Sequence, residues 1–132
     1  MSIIKVFNNQ LFSFSNTLVE RFPDNKNFKI ALTGIETIKM ANPRKNIDMF
    51  LLYVYKYRNK VMVKDEEFML KTDFISENFE EKQKSVSSSF LIMDSIKDNW
   101  KSLEINEKNN IWKYLQVLIK LCDKYIKENL KN

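Results

Sequence analysis

The chain has one glycine, Gly34, and two prolines, Pro23 and Pro43, in 132 residues. Glycine and proline punctuate a fold, because each permits or forces backbone angles that regular structure avoids. An all-β domain needs such turn residues roughly every 8–12 positions. This chain has room for few tight turns, which favours long helices with few connections. Apolar residues make up 44% of it, enough to bury a core. The expected fold is all-α: a single compact bundle of five to six helices, with residues 1–132 forming one domain.

Apolar spacing places the helices. Phe7, Leu11, Phe14, Leu18 and Phe22 recur at three and four, one helical face. Pro23 ends that helix, since the residue before proline is pushed out of the helical region. Phe28, Ala31, Ile35 and Ile38 mark a second helix, capped by Asp24 or Asn25, with Gly34 in its middle for close packing. Asn42 and Pro43 open a third, a good cap followed by proline at the first helical position. That helix carries the run from Ile47 to Tyr55, apolar almost all round and so central. It turns basic at Lys56, Arg58 and Lys60. Residues 61–84 read as short helical or extended pieces, and Ser85–Ser89 as a loop or a helix start. Phe90, Met93, Ile96, Trp100 and Leu103 define a further helix. The last begins with Asn106 as cap and carries Ile111, Leu115, Leu118, Cys122 and Tyr125.

Several chemistries are excluded. There is no histidine, which removes the commonest general base and metal ligand. With one cysteine and one glycine, a structural zinc site, a glycine-rich phosphate loop and an EF-hand loop are all out of reach. The carboxylates Asp65, Glu66 and Glu67, and Glu77, Glu80 and Glu81, lie in lysine-rich stretches that suit solvated helix faces. The expectation is no enzyme, no catalytic residue, no metal and no cofactor. Cys122 falls on an apolar stripe and reads as a buried, inert thiol; a lone cysteine suits a reducing compartment. The N-terminal stretch lacks the sustained apolar core of a signal peptide. The longest solid apolar run, Met49 to Tyr55, is too short to span a bilayer.

Net charge is +5. Residues 1–66 hold 11 Lys/Arg against 6 Asp/Glu, and residues 67–132 hold 11 against 11. The excess in the first half could attract nucleic acid, anionic lipid or an acidic protein. Only three of the 22 basic residues are Arg, the residue favoured for phosphate and base recognition. Lysine, asparagine, isoleucine, phenylalanine and tyrosine share A/T-rich codons, so coding bias alone would raise the lysine count.

Two features are candidate contact sites. Asn42, Arg44 and Lys45 form a helix start, where free backbone N–H groups and two cations suit a phosphate or a carboxylate. Arg58 and Lys60 end the same helix, about 20 Å away at 1.5 Å per residue. The competing reading is that these cations extend into water or pair internally. Tyr114 lies off the core stripe of the last helix and is a candidate exposed aromatic contact.

Three stretches, taken in order, carry a resemblance. The first is Phe7-Asn8-Asn9-Gln10-Leu11 followed by Phe22-Pro23-Asp24. The second is Ala41-Asn42-Pro43-Arg44, with Met49-Phe50 and Tyr53-Val54-Tyr55 after it. The third is Asn99-Trp100 and Leu103, then Ile111-Trp112-Lys113-Tyr114-Leu115-Gln116 and Leu118. Together they resemble a family of small helical proteins encoded by giant, nucleocytoplasmic large DNA viruses. The resemblance covers most of the chain, with little match over residues 61–98, and it carries over no functional residue. It implies an infected cell: the host cytoplasm, a virus factory there, or the virion. The function expected on these grounds is a non-enzymatic interaction module, adaptor or accessory, docking a viral or host protein. The alternatives are a nucleic-acid-binding or packaging accessory and a self-associating virion component.

Overall fold

The structure, a computed structural model, describes residues 2–78 and 88–130. The glutamates Glu80 and Glu81, Phe79 and the serines Ser85–Ser87 lie outside the described residues.

Helix α1 spans Ile3–Arg21, with the Ser2 hydroxyl accepting the Lys5 N–H at 3.4 Å. It buries Phe7, Leu11, Phe14 and Leu18, the stripe read from the sequence. Phe22 leaves the helical region before Pro23, at φ −125° and ψ 68°. Asn25 then caps α2, Lys26–Ala41, its side chain accepting the Phe28 N–H at 3.1 Å. Phe28, Ala31 and Ile35 of α2 are buried.

The next junction differs from expectation. Helix α3 spans Lys45–Tyr53, so it starts after Asn42 and Pro43 rather than at them. Asn42 still serves the junction: its side chain accepts the Arg44 N–H at 3.1 Å, and its carbonyl accepts the Lys45 N–H at 3.0 Å. The helix also ends early. At Val54 the backbone opens to φ −116° and tightens into a 3₁₀ turn over Tyr55–Tyr57, before α4 at Arg58–Met62. The break sends two tyrosine hydroxyls to different partners. Tyr55 donates to Asp123, and Tyr57 donates to Glu77 at 2.8 Å.

Helix α4 ends in a Schellman motif. The Asp65 N–H bonds the Lys60 carbonyl at 3.0 Å, and the Lys64 N–H bonds the Val61 carbonyl at 3.1 Å. The left-handed position of this motif normally takes glycine, but here it is Lys64, at φ 54°. Asp65 then caps α5, Glu66–Lys71, accepting the Phe68 N–H at 3.0 Å. That bond, and then Lys60, hold the Asp65 carboxyl below its usual range. Helix α6 spans Phe74–Asn78. Rings of Tyr57, Phe68 and Phe74 meet with centroids 5.1, 5.4 and 5.7 Å apart, a small satellite of the core.

Helix α7 spans Ser88–Asn99 and tightens into a 3₁₀ turn at Trp100–Ser102. Helix α8 spans Ile105–Leu130. Its capping residue is Glu104, whose carbonyl accepts the Lys108 N–H at 3.0 Å, and not Asn106. Glu107 reaches back to the Glu104 N–H at 3.0 Å, the returning half of a capping box.

The described residues are all-helical, without a strand, in eight α-helical segments and two 3₁₀ turns. That exceeds the five to six helices expected, because the third helix breaks at Val54 into α3 and α4 and both short pieces that follow are helical, α5 and α6. Helix α1 packs between α2 and α8, α7 covers α2 and α3, and α4 leans on α8. Gly34 is where α2 meets α7: a Cβ there would lie 2.3 Å from the Ser88 Oγ. Phe7, Phe50, Trp100, Trp112 and Leu115 sit in the shared core. Among the described residues no helix is long and apolar enough to cross a membrane.

Candidate functional site

The first helix and the last pack antiparallel. Phe14 stacks on Tyr114, with ring centroids 5.0 Å apart and planes 23° apart. Arg21, at the end of α1, pairs with Glu107 in the first turn of α8. Its guanidinium also lies over the Phe22 ring, 4.6 Å from the centroid. That pairing, then the Glu104 N–H, depresses the Glu107 carboxyl below its ordinary range.

A groove runs along this seam. Its upper cleft, about 360 Å³, is lined by Phe14, Leu18, Phe22, Leu103, Ile111 and Tyr114, with Glu20, Arg21 and Asn110 at the edge. Its lower cleft, about 370 Å³, is lined by Gln10, Thr17, Asn110, Lys113, Tyr114 and Val117. Thr17, Asn110 and Tyr114 line both, so the two clefts adjoin. The floor is aromatic and aliphatic, and the rim offers amide, hydroxyl and charged groups. Such a surface binds by burying apolar groups of a ligand and orienting them with a few polar contacts. Tyr114 is half-buried rather than freely exposed, because Phe14 covers one face of its ring.

The four cations read from the sequence do not form one site. Arg44 is exposed but engaged: it donates to the Tyr125 hydroxyl, contacts Asn129 at 3.4 Å and lies 5.4 Å from the Tyr125 ring centroid. Tyr125 passes the connection on, donating to Asp48 at 3.1 Å. The bond to Tyr125 raises the Arg44 pKa above its ordinary value. Arg58 folds back on Tyr55, bonding its carbonyl at 3.3 Å with the guanidinium 4.6 Å from the ring centroid. Lys60 pairs with Asp65 at 3.5 Å. Lys45 is exposed on the first turn of α3. Because the helix is interrupted at Val54, Arg44 and Lys45 do not share a helix with Arg58 and Lys60.

A further basic feature lies along α8. Lys113, Lys120, Lys124 and Lys127 follow one another at intervals of seven, four and three along α8, and all are exposed. At 3.6 residues per turn they fall on one face, in a row about 21 Å long. Among the described residues none of the four is in an ion pair. Asp123, on the flank of the row, is turned to the Tyr55 hydroxyl instead. Counting charge by halves of the chain conceals this row, because the acids of the second half balance its total. Counting lysines at helical period reveals it.

Compared with known proteins, the chain matches no family model, no curated protein and no solved structure.

Proposed function

We propose that this chain is a non-enzymatic protein-interaction module, and that the groove between α1 and α8 receives a segment of its partner. The supporting observation is the groove itself: two adjoining clefts with an apolar floor around the Phe14–Tyr114 pair and a polar rim. Contact sites between proteins are built this way, with aromatic anchors at the centre and polar groups around them. The resemblance to giant-virus proteins supplies the setting we propose: an infected cell, with a viral or host protein as partner and the cytoplasmic virus factory as the place.

The test is site-specific photo-crosslinking in infected cells. A crosslinker at Thr17, which is exposed and lines both clefts, is expected to capture a defined partner. A crosslinker at Thr37, exposed on α2, serves as the control and is expected to capture none. Capture from Thr37 without capture from Thr17 would reject the groove as the contact surface.

A further inference from the structure

The groove does not end in neutral surroundings. Lys113 lines its lower cleft, and from there the row continues through Lys120, Lys124 and Lys127 toward the C-terminal end of α8. The opposite end carries the exposed Glu20 and the Arg21–Glu107 pair. The seam is therefore electrically polar along its length: an apolar trough with a cationic edge at one end. Resting on the interaction-module reading, we infer that the partner is an acidic amphipathic segment of a protein. Its apolar side chains seat against Tyr114, and its carboxylates lie along the four lysines.

Charge and shape both favour a peptide over a nucleic acid. Base-stacking surfaces present an open aromatic face. Here Tyr114 is the one aromatic ring exposed toward the lower cleft, so that cleft offers no series of rings for successive bases. The row contains lysine alone, without the arginine forks that read phosphate and base edges. Glu20, at the other end of the groove, would repel a phosphate backbone continuing along the seam. A helix with apolar residues at three and four satisfies both halves of the surface at once. Its apolar stripe fills the trough, and acids beside the stripe meet the lysines. The row also carries a cost that such a partner relieves. Lys120 and Lys124 are four apart and Lys124 and Lys127 three apart, spacings at which like charges repel.

The experiment is selection of a displayed random peptide library, with inserts of about 16 residues, or about 24 Å as a helix, on the full chain. Three proteins are compared: wild type, the triple variant Lys120→Glu, Lys124→Glu, Lys127→Glu, and the groove variant Thr17→Lys. All these positions are exposed, and circular dichroism with thermal melting verifies that each variant is folded. Wild type is expected to enrich acidic peptides with apolar residues at helical spacing. The best of them should bind the triple variant at least tenfold more weakly, lose that difference at high salt, and fail on Thr17→Lys. Enrichment of neutral or basic peptides that ignore the lysine reversals but fail on Thr17→Lys would overturn the acidic-partner inference and leave the groove reading standing. No enrichment, or enrichment indifferent to Thr17→Lys, would overturn both. Duplex DNA binding that depends on the lysines, without enrichment of acidic peptides, would replace the inferred partner with a nucleic acid.

Discussion

The side-chain amide of Asn46 donates to the side-chain oxygen of Asn8 at 3.3 Å, and both residues are buried. The same amide group bonds the Ile35 carbonyl at 3.2 Å, while Asn8 donates to the Pro43 carbonyl at 2.9 Å. Two asparagines thus tie α1, α2 and α3 together inside the core. Removing one partner strands the groups it satisfied. Asn46→Ala is expected to destabilise by about 1–3 kcal/mol, the cost of unsatisfied buried polar groups. The double variant with Asn8→Ala should cost less than the sum of the two singles. Urea denaturation of the four proteins measures both; strict additivity would show that the pair does not act as a unit.

Phe50 packs edge-on against Phe7, with centroids 5.4 Å apart, and Leu115 is 1% exposed. Phe50→Ala and Leu115→Ala are each expected to destabilise by about 2–5 kcal/mol through lost burial and the cavity left behind. Wild-type melting behaviour in either variant would contradict the packing described.

Lys64 holds the left-handed position of the α4 Schellman motif. A residue with a Cβ is strained there and glycine is not. Lys64→Gly is expected to stabilise by about 0.5–1 kcal/mol, once the greater freedom of glycine in the unfolded chain is subtracted. A lower denaturation midpoint in the variant would contradict the motif.

Asp94 has its pKa raised, chiefly by burial and then by Asp98, with Lys97 opposing. The folded state therefore holds this proton more tightly than the unfolded state does. The resulting stability is fully present below the ordinary aspartate value of 3.8 and is lost as pH rises through the folded value. Near pH ~7 the charged carboxylate is a burden, so Asp94→Asn is expected to be more stable than wild type there. The advantage should vanish near pH ~3, where wild type is protonated too. Melting temperatures at the two pH values decide it; an advantage that persists at acid pH would point to packing rather than charge.

Burial, and then Asp123, push the Cys122 thiol up to about 12. Thiolate is the reactive form, so the native protein should resist thiol reagents near pH ~8 and react only as it unfolds. Stoichiometric labelling of the native protein within minutes would contradict this.

The long helices were legible because burial imposes a 3.6-residue period, and Phe7-Leu11-Phe14-Leu18 and Ile111-Leu115-Leu118-Cys122 display it directly. The break at Val54 was not legible. The run from Ile47 to Tyr55 is continuously apolar, and the break is held by distant partners, Asp123 for Tyr55 and Glu77 for Tyr57. The turn at Lys64 was hidden for a local reason: lysine does not advertise a left-handed residue, so the end of α4 could not be placed although the short helices after Asp65 could. The site divides in the same way. Tyr114 stands out as an aromatic off the core stripe, but the ring that covers it, Phe14, lies a hundred positions earlier. Arg44 invites a phosphate when only its helix start is considered; its actual company, Tyr125 and Asn129, comes from the far end of the chain.

The antiparallel seam between α1 and α8 also sets an order of events in the cell. Arg21 and Glu107 are 86 positions apart in the chain. During synthesis at about 5–20 residues per second, α1 leaves the ribosome many seconds before the helix that covers it. Through that interval Phe14 and its neighbours stay uncovered on the α8 side, α2 being the first α1 partner to emerge. The groove forms only once the first half of α8, through Val117, has joined α1, so a nascent chain cannot present that surface earlier.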